Sequence, residues 1–216
     1  MNKSLFRLMA GFRRFREKYF LQNDADHSLY HQLATSGQTP KTLLIGCSDS
    51  RVDPAIMTEA GPGEMFVIRN VANLVPPFEP PTSGLHGTSS AIEFAVANLK
   101  VENIIVLGHR QCGGIRALMN GATDSSNSFI GRWMSIAESA RHKVICEHPH
   151  ADEETRWRLA ELESIKVSLK NLHTFPFVKE AVAAGQLNVI GVYFDLEQGQ
   201  LFEFDEATQE FRQLTI

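Results

Sequence analysis

Unbroken apolar runs that stop at polar residues or glycine constrain this chain more than any other feature. Thr42–Gly46 (TLLIG) runs into CSDSR, Phe66–Ile68 into Arg69-Asn70, and Asn103–Leu107 (NIIVL) into GHRQCGG; Leu187–Phe194 (LNVIGVYF) lies near the end. Because the runs are continuous rather than alternating, they suit strands covered on both faces, as in a parallel sheet. Between the second and third runs, Ala91, Ile92, Ala95, Val96 and Leu99 recur at helical spacing within Ser89–Leu99. Strand, helix, strand is the βαβ unit. Residues 128–184, including the charged stretch Ala151–Leu172, read as mostly helical, and the proline-rich Val75–Gly87 reads as a loop. No linker divides two cores. The expectation is one α/β domain over 1–216, with a central, mainly parallel β-sheet flanked by helices. It divides into a helical arm over 1–35 and a core over 36–216.

Charge narrows the function classes. The chain carries 21 Lys and Arg against 25 Asp and Glu, a net −4. Within residues 1–20, six cations face one acid, Glu17, so the remaining chain carries −9. No basic stripe continues past the first helix, which argues against nucleic acid as a partner. Leu5, Leu8, Met9, Phe12, Phe15 and Tyr19 recur along one face of that first segment, which reads as an amphipathic helix. No run approaches the roughly 18 apolar residues of a membrane span. Three cysteines are too few, and odd, for a disulfide scaffold. They read as reduced thiols, and the cytoplasm is the expected compartment.

In open parallel sheets, ligands sit beyond the carboxyl ends of the strands. Cys47 follows the first run, and His109 and Cys112 follow the third. His-x-x-Cys alone is a common spacing, and a lone histidine there is more often a hydrogen-bonded loop residue. Two strand ends delivering two sulfurs and one imidazole to one sheet edge make a zinc ligand set, one ion per chain. Three protein ligands leave a position for water, as in catalytic sites. Gly108, Gly113 and Gly114 flank the pair and allow close approach of a ligand. Asp49 and Arg51 lie in the loop after Cys47. The carboxylate can accept a hydrogen bond from a metal-bound water, and the guanidinium can hold it ionised. Two thiolates and a neutral histidine cancel the ion's charge, so activity is expected to favour alkaline pH. Asp49 could also replace the water and switch the site off.

CSDSRV at Cys47–Val52 together with GHRQCGG at Gly108–Gly114 resembles the β-class carbonic anhydrases. PGEMFVIRN from Pro62, RNVAN at Arg69–Asn73, AIEFAV from Ala91 and VENIIVLGH from Val101 look like the same family. The resemblance covers most of residues 25–120 and is weaker beyond. It implies zinc-dependent reversible hydration of CO2 to bicarbonate and a proton. Cys47, His109 and Cys112 match the metal ligands, and Asp49 and Arg51 the catalytic dyad. Asp49 also matches the residue that occupies the metal in the closed, inactive form of some members. Gln38, Phe66, Val71 and Gly113 match positions lining the CO2 and bicarbonate pocket, and Phe94 takes a pocket position where many members have tyrosine. In the family some of these cross a dimer interface and the N-terminal helix embraces the partner subunit. A homodimer or dimer of dimers is therefore implied.

The sequence also departs from one branch of the family. Some bacterial members carry a Trp–Arg–Tyr bicarbonate site; here Arg69 is kept, but Leu44 and Phe194 stand where Trp and Tyr would. That predicts no such regulatory site, and PPFEPP from Pro76 and VENIIVLGH from Val101 look closer to the plant-like branch. Cleavage of CS2 or COS on the same metal, a non-catalytic zinc scaffold, and a thiol nucleophile at Cys47 are the competing functions. Cys146, with His142, His148 and His150, is a second cluster of ligand types. All four come from one short segment, and a solvated turn with a free thiol is the expectation.

Overall fold

The computed structural model describes residues 2–21, 28–80, 86–124 and 128–215. Two compact units result, Met1–Thr39 and Pro40–Ile216. The first holds α1 (Lys3–Arg16), a π-helical turn (Glu17–Leu21) and α2 (Leu29–Ser36). Asn2 caps α1 by accepting from the Ser4 N–H at 3.1 Å, and Arg13, Arg14 and Arg16 lie in its last turn, where cations suit the helix dipole. Phe15, Tyr19 and Phe20 meet Tyr30 of α2 at ring distances of 5.1–5.5 Å. Leu5, Phe6, Leu8, Met9 and Phe12 remain exposed.

The second unit is built on β1 (Thr42–Cys47), β2 (Met65–Asn70), β3 (Asn103–His109), β4 (Asn188–Asp195), β5 (Gln200–Asp205) and β6 (Glu210–Gln213). They form one sheet in the order β2-β1-β3-β4-β5-β6. The first four are parallel, and β5 and β6 append antiparallel. The four apolar runs are the four parallel strands. Leu43 and Ile45 pack into one core cluster and Leu44 into another with Leu107 and Val192, so β1 is covered on both faces as its unbroken run requires.

The helices are α3 (Pro54–Thr58), α4 (Gly87–Glu93), α5 (Gly113–Met119), α6 (Phe129–Met134), α7 (Glu138–Glu147), α8 (Glu153–Leu172) and α9 (Pro176–Ala183). The helical period over Ser89–Leu99 appears as α4 continued by a π-helical turn, Phe94–Asn98. Of the proline-rich loop, residues 81–85 lie outside the described residues. Among the described residues, no helix is long and apolar enough to cross a membrane.

The chain leaves β1 for β2 on one side and reaches β3 on the other. The switch point therefore lies between the carboxyl ends of β1 and β3, where such sheets open a crevice. Helix α8 packs across β3 and β4. It lies so close that a Cβ at Gly108 would stand 2.6 Å from Ile165 Cδ1 and one at Gly191 2.8 Å from Leu169 Cδ1. Gly108→Ala is expected to cost about 1–3 kcal/mol by overpacking, measured as a lower urea midpoint with unchanged slope.

Candidate metal centre

Two strand ends build the site. Cys47 is the last residue of β1 and His109 the last of β3; Arg110 and Gln111 then turn the chain, and Cys112 precedes the first turn of α5. All three candidate ligands are buried, and their donor atoms lie within 4.8 Å of one another. The two sulfurs are 3.9 Å apart. Around a tetrahedral zinc with Zn–S bonds of about 2.3 Å, two sulfurs stand about 3.8 Å apart, so the spacing fits. The His109 Nδ1–H donates to the Arg110 carbonyl at 2.9 Å, which leaves the Nε2 lone pair free. Nε2 is buried without a hydrogen-bond partner among the described residues, as a ligand atom awaiting its ion would be. The Arg110 guanidinium is itself fixed by Glu154, Glu197 and Asp195.

A backbone amide serves one of the sulfurs. The Asp49 N–H approaches Cys47 Sγ at 3.4 Å. After β2 the backbone is left-handed at Ala72 (φ 64°) and Asn73 (φ 49°). The Asn70 side chain brackets that turn, accepting from the Leu74 N–H and donating to the Leu74 carbonyl. The Cys47 thiol is held low, to about 4, chiefly because the Cys112 thiol donates to it. Cys112 is pushed up as that donor and by burial. Burial alone would lower His109, but the Cys47 thiolate and the Arg110 carbonyl together raise it.

The dyad lies beside this group. Arg51 donates from Nε (3.0 Å) and a terminal nitrogen (2.7 Å) to the two Asp49 oxygens, and its own N–H adds a third contact at 2.9 Å. These bonds hold the Asp49 carboxyl well below the usual carboxylate range. Arg51 also donates to the Gln111 carbonyl at 3.0 Å and so ties the β1 loop to the β3 loop. Asp49 is not part of the three-residue donor group in this arrangement.

The pocket positions separate. Gly113 follows Cys112, and a Cβ on it would meet open space, whereas one on Gly114 would stand 2.8 Å from Val71 Cγ1. Of the three glycines read as making room for a ligand, Gly113 faces open space, and Gly108 and Gly114 admit Ile165 and Val71. Phe66 and Phe94 pack on each other at 5.8 Å. The register pairs Phe66 with Leu43 and Asn70 with Cys47, so Phe66 lies about 13 Å down the strand from the Cys47 end. Gln38 belongs to the first unit, in the segment after α2. Leu44 is buried within β1, and Phe194 pairs with His109 in the β3–β4 register. Cys146 is exposed on α7, 3.7 Å from His142 Nε2.

Several supporting residues carried weak or no sequence signal. Arg69 donates to the Cys47, Asp49 and Val52 carbonyls and to the Asp53 carboxylate, so it holds the loop after Cys47. The Trp133 indole N–H donates to the Val71 carbonyl at 2.8 Å. Buried Glu161 accepts from the Cys112 N–H at 2.9 Å, yet its polar character inside α8 pointed nowhere in particular.

Comparison with known proteins gives the family. A family model described as carbonic anhydrase matches residues 42–201. A carbonic anhydrase of Synechocystis sp. is 34% identical over 206 residues, covering 95% of this chain and 73% of that protein. The solved β-carbonic anhydrase CcaA superposes with a TM-score of 0.89 at 32% identity, over 100% of this chain and 94% of that one. One of two tetrameric β-carbonic anhydrases from the filamentous ascomycete Sordaria macrospora gives 0.78 at 31%, over 94% and 97%. With the family model spanning both strand ends and the sequence likeness running along most of the chain, this chain belongs to the β-carbonic anhydrases, enzymes of reversible CO2 hydration.

Proposed function

We propose that Cys47, His109 and Cys112 hold one zinc ion per chain and that Asp49 and Arg51 orient the water that adds to CO2. The observation that carries this reading is the three-donor group beside an aspartate held off it by a bidentate arginine. When bound, zinc would supply a Lewis acid that brings the pKa of water toward neutrality. Everything else is done by the chain. Arg51 keeps Asp49 ionised, and Asp49 accepts a hydrogen bond from the reacting water and points its lone pair at the carbon. Val71 and Gly113 line the substrate side. In a closed, inactive state Asp49 would leave Arg51 and take the fourth ligand position.

Phe66, Phe94 and Gln38 are proposed to complete a partner subunit's pocket, which makes the working unit a homodimer or dimer of dimers. The distance of Phe66 along its strand supports this, as does the tetrameric state of the Sordaria relatives. Thiolate ligands need a reducing compartment, so the cytoplasm is the proposed location.

Stopped-flow CO2 hydration with zinc assayed in parallel tests the reading. One zinc per chain is expected, with a rate that rises from about pH 6.5 to about pH 9 because two thiolates weaken the ion's pull on water. Zinc-free active protein, or activity surviving chelation, would refute it.

Arg69 gives a second prediction. Its donors are committed to the loop after Cys47 and to Asp53, and Phe194 has no hydroxyl to hold an anion beside it. Added bicarbonate is therefore expected to act only as product. Cooperative, pH-dependent inhibition by bicarbonate would contradict the assignment to the plant-like branch.

A further inference from the structure

Glu161 is a carboxylate in the core, 3% exposed, and takes part in none of the ion pairs among the described residues. Its two oxygens serve neutral donors instead. Oε1 accepts from the Cys112 N–H at 2.9 Å and Oε2 from the Tyr193 hydroxyl at 2.8 Å. Tyr193 is buried in β4, so a chain of hydrogen bonds runs from the sheet through α8 to the backbone of Cys112. For folding alone, an apolar residue of this shape would serve as well or better, because a buried carboxylate without a cation is costly.

The segment it reaches needs a tether. Gln111 is left-handed (φ 57°), and Gly113 and Gly114 follow Cys112 with little backbone preference of their own. Cys112 stands at the N-cap of α5 but its side chain makes no capping bond. With the sulfur turned to Cys47, an acceptor from another helix takes the Cys112 N–H. We infer that Glu161 is a positioning residue for the metal: through the Cys112 amide, braced by Tyr193, it fixes the Cys112 sulfur at ligand distance from Cys47.

This inference rests on the zinc reading above. The test uses the zinc-loaded protein and reads zinc release to excess chelator, with the thiolate–metal absorption of the cobalt(II)-substituted protein as a second signal. Glu161→Gln keeps an acceptor for the Cys112 N–H, and Glu161→Met keeps the volume without it. Met is expected to release zinc about 10–100-fold faster, with a shifted cobalt spectrum, and Gln to stay near wild type. Tyr193→Phe, which removes only the brace, should release zinc faster by a smaller factor, and it decides the matter if the Met variant does not fold. Met releasing zinc as slowly as Gln with an unchanged spectrum, or Tyr193→Phe matching wild type, would overturn the role of Glu161 alone. A wild-type chain that takes up no zinc would overturn the metal reading itself.

Discussion

Asp49→Ala is expected to lower kcat/KM for CO2 hydration by about 10²–10³-fold while zinc stays bound at one per chain, because a positioned carboxylate at a proton-bearing nucleophile contributes on that scale. The geometry separates the two readouts. Asp49 lies outside the group of donor atoms, and its oxygens are taken by Arg51 rather than by Cys47 or His109. Zinc lost together with activity would mean that Asp49 holds the ion. Arg51→Ala should fall to a similar level, and the double variant hardly further, since the two side chains act as one unit. Stability gives an independent check with a definite sign. The folded-state pKa of Asp49 lies below its unfolded value of about 3.9, so the pair stabilises the fold above that pH and loses its effect as pH falls through the depressed value. The gap in stability between wild type and Asp49→Ala should therefore close on acidification, and a gap that widens would contradict the pairing.

The parallel sheet was legible because burial on both faces leaves unbroken apolar runs, and those runs end within one or two residues of the ends of β1 to β4. The metal group was legible for a related reason: a strand's carboxyl end is fixed in sequence by its last apolar residue, so Cys47 and His109 announce their places. The hairpin of β5 and β6 went unread. Its strands are short and half-buried, and the alternation of Phe202 and Phe204 with Glu203 and Asp205 lies among turn residues that draw attention away from it. The supporting network was least legible. Glu161 and Tyr193 are 49 and 81 residues beyond Cys112, and nothing local marks a glutamate that faces inward on a charged helix. The left-handed pair Ala72-Asn73 is similarly silent, since neither residue is glycine.

Arg69→Ala is expected to destabilise the fold by about 2–4 kcal/mol and to loosen zinc as well, because one side chain holds the loop carrying both Cys47 and Asp49. The guanidinium meets the Cys47 carbonyl at 2.9 Å, the Asp49 carbonyl at 2.6 Å and the Asp53 carboxylate at 2.9 Å. Asp53 in turn caps α3 by accepting from the Ala55 and Ile56 N–H groups. Removing the arginine strands partly buried carbonyls and leaves Asp53 without its cation, each a cost of roughly 1–3 kcal/mol before the loop relaxes. Arg69→Lys should recover little, because a single ammonium on a flexible stem cannot reach three acceptors that a planar fork meets together. Thermal unfolding of the zinc-free protein isolates the structural part, and competition with a chelator reads the metal part. Arg69→Ala that unfolds at the wild-type temperature and keeps zinc as tightly would show that the loop is held by the Arg51 bridge to Gln111 instead.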